Sequence, residues 1–109
     1  LKMLKSSNWM TQLDDRILQD LRESDEELSA WAIASDLDAD HAFIRHRCAT
    51  LTHAGFVHRI DRDQIEDQFC LTIWGALYLS GDVDADLRRP NPRPRPPHAV
   101  RPGWYAGLG

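Results

Sequence analysis

The chain is short of lysine, glutamate and cysteine, and it has no long apolar segment. Its 109 residues include 2 Lys against 11 Arg, 4 Glu against 13 Asp, and 2 Cys. No apolar run approaches the roughly 20 residues of a membrane-spanning helix, so no membrane association is expected. The first ten residues lack the apolar core of a secretory signal. We therefore predict a cytoplasmic protein with reduced cysteines.

The choice of charged residues favours a protein that works at high salt. Dense surface carboxylate with little lysine is typical of halophilic proteins, because hydrated acids keep a protein soluble at high salt. A GC-rich genome also favours arginine over lysine, so both explanations stay open. With 42% hydrophobic residues, the chain can bury the core of one small domain.

Charge is unevenly distributed along the sequence. Residues 1–40 have four basic and ten acidic side chains, whereas residues 41–62 have four arginines, one acid and four of the five histidines. Residues 63–87 have six acids and no base. Residues 88–109 have five arginines, no acid and all six prolines. Positive charge is thus concentrated in one internal stretch and at the C-terminal end of the sequence.

This division predicts an N-terminal arm at 1–8, a domain at 9–87 and a Pro/Arg-rich tail at 88–109. Proline removes backbone donors and restricts its neighbours, so the tail is expected to be extended or disordered. The tail arginines either attract DNA nonspecifically, as basic arms do, or belong to a solvated end.

Hydrophobic periodicity predicts a mainly α domain with a small β-hairpin. Possible capping residues precede the helices at Thr11, Ser29, Asp40 and Thr72. Gly55 is a candidate for a left-handed stop after the third helix. The predicted helices are 11–23, 30–37, 41–54 and one that begins after Thr72; the predicted strands are 56–60, 68–71 and a short third strand near 27–28.

The third helix is predicted to have two unlike faces. Ile44, Cys48 and Leu51 recur at helical spacing and should face the core. A short turn joins this helix to the second helix, and the hairpin follows directly. The order α-α-α-β-β-α is that of a winged helix-turn-helix, in which a basic helix and hairpin contact DNA.

Four phrases stand in order along the sequence: SNWMTQLDDRIL at 7–18, ELSAWAIASDLDAD at 27–40, FIRHRCATLTHAGFV at 43–57 and CLTIWGALYLSGDVDADL at 70–87. In order and spacing they resemble the winged-helix proteins of haloarchaea that are related to a halophage repressor. The resemblance implies a winged helix-turn-helix that binds double-stranded DNA and regulates transcription. His46 departs from the pattern, since the family tends to have arginine there, and the wing DRDQIED at 61–67 has four acids.

Candidate DNA contacts lie on the third helix and the wing. Arginine can donate to guanine O6 and N7 together, and alanine can meet a thymine methyl group. The wing cations either contact the DNA backbone or pair with Asp61 and Asp63. The predicted contacts are His41, Ala42, Arg45, His46, Arg47, Ala49 and Thr50 on the helix, and His58, Arg59 and Arg62 on the wing.

The tryptophans and Tyr78 are interpreted as core and dimer packing. A homodimer through helices 1 and 4, using Trp9, Trp74 and Tyr78, would present two recognition helices to two half-sites. An effector pocket between these helices stays open as an alternative.

Cys48, Cys70, His53 and His58 suggest a metal-sensing role as an alternative, since thiolate and imidazole suit zinc. Their spacing is not that of a zinc finger or ribbon, and Cys48 belongs to the inward stripe, where free cysteine acts as a small hydrophobe. No metal and no cofactor are predicted. No catalytic constellation is present in the sequence, so an enzyme is not expected.

The sequence thus predicts a DNA-binding transcriptional regulator, a repressor that excludes polymerase. Two alternatives are a winged-helix module for protein contact, favoured by the acidic wing and proline-rich tail, and a winged helix used in replication or plasmid maintenance.

Overall fold

The predicted winged helix-turn-helix architecture is confirmed in the computed structural model, which describes residues 8–61 and 65–88. Four helices surround a small three-stranded antiparallel sheet. In chain order the elements are α1 (Gln12–Ser24), β1 (Leu28–Ser29), α2 (Ala30–Leu37), α3 (His41–Ala54), β2 (Val57–Ile60), β3 (Gln68–Leu71), α4 (Ile73–Leu79) and a short 3-10 turn (Ala85–Leu87).

α2, α3 and α4 begin where the sequence predicts, and α1 begins one residue later than predicted, at Gln12. Short polar side chains set these starts because they accept hydrogen bonds from the first unpaired backbone N–H groups. At α1, Thr11 and Asp14 form a reciprocal capping box. Gly55 closes α3 in the left-handed region with φ 87°, a conformation that glycine adopts without strain. The other predicted caps are also confirmed: Ser29 for α2, Asp40 for α3 and Thr72 for α4.

The sheet has the order β1-β3-β2. Its first strand is Leu28–Ser29, one residue later than predicted, and Leu28 lies opposite Phe69. β2 begins at Val57 rather than at 56, because the N–H of Phe56 donates to the carbonyl of Leu51 and completes the end of α3. The wing is therefore joined to α3 by a compact turn.

The core lies between the four helices and the sheet. Ile17, Ile44 and Leu51 are fully buried there. Tyr78 stacks on Phe56 with ring centroids 5.1 Å apart, and its hydroxyl donates to Asp15 at 2.6 Å. Burial of such side chains contributes roughly 1.5–3 kcal/mol each and fixes α3 against the rest of the domain.

Parts of the predicted outer segments, residues 1–7 of the arm and 89–109 of the tail, lie outside the described residues. Within the described ranges, no helix combines the length and the apolar composition that a membrane crossing requires.

Candidate nucleic-acid interface

The third helix is anchored by one face and open on the other. Its buried side chains include Ile44, Cys48 and Leu51, as the periodicity predicts. The preceding turn passes through Asp38 in the left-handed region, with φ 53°, and sets α3 across α2. The exposed residues of the opposite face, here called the outer face, are Ala42, Arg45, His46, Ala49 and His53.

Arg45 offers a free cation on the outer face. It is exposed, and among the described residues it has no hydrogen bond or ion pair. Its flexible side chain can therefore turn toward a ligand without first breaking an internal contact.

Arg47 lies at the seam between α3 and α1 instead. Its Nε donates to Asp14 Oδ1 at 2.9 Å, and its Nη2 donates to Asp14 Oδ2 at 2.6 Å and to the carbonyl of Trp9 at 3.0 Å. Asp14 is fully buried, and the Arg47 side chain is 13% exposed. The hydrogen bonds to Asp14 raise the pKa of Arg47, so the guanidinium stays protonated. This guanidinium points into the domain.

His41 also has internal partners. Its Nε2 lies 2.6 Å from Oε1 of Glu66, at the base of the wing. Its ring stacks on Trp31 of α2, with centroids 3.6 Å apart and planes within 7°. The first residue of α3 therefore links the second helix to the wing.

A groove of about 550 Å³ separates α3 from the hairpin. Arg45, His53 and Arg59 line it together with the acids Glu66 and Asp67. Arg59 is 59% exposed and lies 3.7 Å from Asp67, a loose surface ion pair. The groove joins the outer face to the wing and gives the site both signs of charge.

The predicted wing contacts are not all on this side of the sheet. Successive side chains of a strand point to opposite faces. Since Arg59 lines the groove, His58 is directed away from α3, although it is exposed. Arg62 lies outside the described residues.

For three residues of α3, the exposure differs from what the predicted set of DNA contacts implies. Thr50 is half-buried, and its hydroxyl donates to the carbonyl of His46 at 3.3 Å. His53 lies in the groove and Phe43 is 47% exposed, but neither was among the predicted contacts. The signal for His53 was its spacing, four residues beyond Ala49 and eight beyond Arg45.

The two cysteines are poor candidates for reactive groups. Burial, with smaller effects of Asp14 and Glu66, raises the pKa of Cys48 to about 12. Burial and Glu27 raise the pKa of Cys70 as well. Both thiols are therefore neutral near pH 7. Within the part of the chain that the structure describes, no group of three or more His, Cys, Asp or Glu side chains is placed to hold a metal ion.

The aromatic residues assigned to a dimer interface differ in exposure. Tyr78 is fully buried within its own chain, so its predicted part in a surface contact is corrected. The indole of Trp9 is half-buried and donates to the carbonyl of Ala85 at 3.2 Å. Trp74 is 39% exposed, and Trp31, at 62%, lies outside the core.

Residues 3–88 match the model of the winged helix-turn-helix phage repressor family. The chain belongs to this family. In this phage repressor family member, residues 89–109 lie beyond the match. Among curated proteins, no match to the chain is found.

A solved structure supports the fold of this family member. The crystal structure of the YusO protein from Bacillus subtilis is similar, with a TM-score of 0.62 and 16% sequence identity. The likeness covers 68% of this chain and 53% of YusO, so the chain spans about half of that protein's length. At this identity the likeness concerns the fold alone.

Proposed function

We propose that the protein is a sequence-specific DNA-binding transcriptional regulator, a repressor that occupies its operator. The observation that supports this most directly is the outer face of α3. Its residues are exposed on a helix whose opposite face is buried in a helix-turn-helix frame. Membership of a phage repressor family agrees with this proposal.

In this proposal α3 enters the major groove and Arg45 makes the main polar contact. Its guanidinium can donate two hydrogen bonds to guanine, which discriminate against other bases by about 1–3 kcal/mol. Ala42 and Ala49 leave room for close approach and can contact thymine methyl groups. His46, which lies between these two alanines in the sequence, adds a side chain that can form hydrogen bonds with base edges.

The wing has a supporting role. Arg59, beside the groove, is placed to contact a phosphate, while Asp67 competes for it. His58 and Arg62 remain predicted backbone contacts. Arg47 and His41 act on DNA indirectly, since their internal bonds position α3 against α1 and the wing.

Salt constrains how such a protein binds. If the aspartate-rich, lysine-poor composition reflects a halophilic source, long-range attraction is screened within about 3 Å at molar salt. Binding then depends on short-range groove contacts and on dimerisation. We propose a homodimer in which the exposed α4 residues Ile73 and Trp74, at 72% and 39% exposure, replace Tyr78 in the interface. Sedimentation in high KCl tests it, and a monomer at micromolar concentration would count against it.

The function is tested by fluorescence anisotropy in molar KCl, using the DNA upstream of the protein's own coding sequence and an unrelated duplex. We expect selective binding of the upstream DNA. Arg45→Ala should lower that affinity about 5- to 150-fold. Arg22→Ala, a matched loss of one exposed arginine on α1, should have little effect.

Equal binding to both duplexes, or equal behaviour of the two variants, would contradict specific reading of this site. In that case a protein partner becomes the better candidate. The specific observation that favours it is the apolar exposure of Ile73 and Leu87, at 72% and 79%.

A further inference from the structure

The junction between α3 and β2 determines how the third helix and the wing lie relative to each other. The N–H of Gly55 donates to the carbonyl of Thr52 at 3.0 Å. The N–H of Phe56 donates to the carbonyl of Leu51 at 3.1 Å, and β2 begins at the following residue. A rotation of the backbone at this junction would therefore change the angle between the outer face and the wing.

α4 holds the carbonyl groups of this junction. The hydroxyl of Thr72 donates to the carbonyl of Gly55 at 2.6 Å, and the N–H of Thr72 donates to the carbonyl of Phe56 at 3.1 Å. Gly75 lies so close to Phe56 that a Cβ at Gly75 would collide with the carbonyl oxygen of Phe56. Gly55, however, has no side chain of its own with which to pack.

Arg88 occupies the space where a side chain of Gly55 would lie. A Cβ at Gly55 would collide with Nη2 of Arg88 and would lie 3.2 Å from its Cζ. The same Cζ is 4.6 Å from the centroid of the Trp74 ring, which is a cation–π contact. The Nε of Arg88 is buried and has no hydrogen-bond partner among the described residues. The guanidinium is therefore packed between the cap of α3 and an indole of α4.

The backbone of Arg88 is held in place as well. Its N–H donates to the carbonyl of Ala85 at 3.0 Å, and that carbonyl also accepts from the indole of Trp9 at 3.2 Å. A cation at this position is favourable, because the last carbonyls of a helix have negative partial charge. Without Arg88 the cap of α3 would be uncovered, and helix ends open more readily than helix centres. The last turn of α3 contains Thr52 and His53, which line the groove beside the wing.

We propose that Arg88 is a positioning residue for DNA reading, which fixes the C-terminal end of α3 and thereby the angle between the outer face and the wing. This inference rests on the proposed DNA-binding function and adds to it a residue that acts through α3 without touching DNA. Base contacts need an exact placement of α3, whereas phosphate contacts are independent of sequence. Arg88 therefore increases the affinity for the upstream duplex and leaves the affinity for an unrelated duplex unchanged.

The test compares the full-length wild type with Arg88→Ala by fluorescence anisotropy on both duplexes over a KCl series, at a temperature where circular dichroism shows both proteins folded. We expect the affinity for the upstream duplex to fall about 2- to 30-fold, the range found for residues that act on a site indirectly. The affinity for the unrelated duplex and the slope of log affinity against log salt should stay unchanged. A slope shallower by about 0.9 on both duplexes would mean the loss of a phosphate contact and would overturn the positioning role.

Two further variants separate this contact from general effects of mutation at the end of the domain. Arg88→Lys keeps a cation over Trp74 without the planar packing, so it should recover part of the lost affinity. Leu87→Ala changes the neighbouring residue, which is 79% exposed, and should bind as the wild type does. Equal losses in Arg88→Lys and Arg88→Ala, or the same loss in Leu87→Ala, would overturn the proposal.

Trp74 is left unchanged in these variants because it belongs to the proposed dimer interface. Arg88→Ala and the wild type should sediment alike under the conditions of the binding experiment. A change of oligomeric state in Arg88→Ala would assign the effect to dimerisation and would overturn the positioning role.

Amide hydrogen exchange measures the helix end in the absence of DNA. In Arg88→Ala, the amides of Gly55 and Phe56 should lose protection, whereas those of Cys48 and Leu51 should keep the wild-type rates. Equal loss of protection throughout α3 would show a merely structural role, and unchanged protection at Gly55 would show that Arg88 does not hold the helix end. Either result would overturn the proposal.

Failure of this inference and failure of the proposed function give different results. If the wild type selects its duplex and Arg88→Ala selects it equally well, the positioning role alone is overturned. If the wild type does not select its duplex, the proposed function falls, and a role of Arg88 in reading DNA falls with it. Exchange at Gly55 would then still show whether Arg88 holds the end of α3.

Discussion

The outer face of α3 and its seam with α1 each contain an arginine, two positions apart, and the two surfaces use it differently. On the outer face, Arg45 is exposed and has no partner among the described residues. At the seam, Arg47 makes three hydrogen bonds, two of them to a carboxylate that is fully buried. Residues two apart on a helix point in widely different directions. Identical side chains therefore meet solvent in one case and the domain interior in the other.

A basic run in a helix of this kind does not by itself identify DNA contacts. Both arginines and His46 form the run Arg-His-Arg in the sequence. What separates the arginines is Asp14, which lies 33 positions from Arg47 and is held in α1 by its own capping box. The seam stabilises the frame, and the outer face remains available for a ligand.

The largest expected effect comes from breaking the seam. Arg47→Ala leaves the Asp14 carboxylate buried without its cation, which should cost about 3–5 kcal/mol in the free energy of unfolding. The free energy of unfolding of Arg47→Lys should lie between those of Arg47→Ala and the wild type. A lysine ammonium retains the charge but cannot reproduce the planar, bidentate contact of the guanidinium. Urea denaturation followed by circular dichroism measures both.

Arg45→Ala is the matched control on the outer face. As an exposed residue without internal partners, it should change stability by less than about 0.5 kcal/mol. Equal stability of the Arg45 and Arg47 variants would contradict the assignment of the two surfaces.

The contact of His41 extends the comparison to the start of α3. His41→Ala removes the stacking on Trp31 and the bond to Glu66, and should lower stability by about 1–2 kcal/mol. His46→Ala, an exposed histidine on the outer face, should have little effect on the midpoint of unfolding. A similar midpoint for both would mean that the link between α2, α3 and the wing adds no stability.

The helices and strands are predictable from the sequence because their signals are local. The caps at Thr11, Ser29, Asp40 and Thr72 involve residues within a single helical turn, and the apolar spacing of α3 repeats every three or four residues. Such patterns are visible without knowledge of the fold.

The site was less predictable because its contacts are distant in sequence. The partner of Arg47 is 33 positions away, and that of His41 is 25 positions away. No local spacing distinguishes Arg45 from Arg47 as a free cation. The burial of Tyr78 likewise depends on Phe56 and Asp15 from other elements, so the dimer prediction assigned it to a surface.

A like-charge contact between α1 and α2 should make stability depend on pH. Burial, followed by the close approach of the Asp36 carboxyl and the negative charges of Asp36 and Glu23, raises the pKa of Asp20 from 3.8 to about 6. The folded state therefore binds this proton more tightly than the unfolded state. Its contribution to stability grows as pH falls from about 6 to 4 and is lost above pH 6.

Asp20→Asn removes the ionised group and should raise stability at pH 7.5 by about 1 kcal/mol or less, with no gain at pH 4. Urea denaturation at the two pH values measures this. A gain of the same size at both values would show that the carboxyl does not titrate in this way.

The smallest expected effect is in the wing, where a cation is neither buried nor free. Arg59 is 59% exposed and lies 3.7 Å from Asp67, and such surface pairs contribute between 0 and about 1 kcal/mol. Asp67→Asn should therefore change stability by less than about 0.5 kcal/mol while it releases Arg59 toward DNA.

Asp61→Asn removes the same charge from an exposed position that has no ion pair among the described residues. If Arg59 contacts a phosphate, Asp67→Asn should raise DNA affinity more than Asp61→Asn, and the excess should disappear in an Arg59→Gln background. Equal gains from the two wing variants would mean that the acidic wing acts on DNA only through its net charge, and Arg59 would then resemble the arginine at the seam more than the one on the outer face.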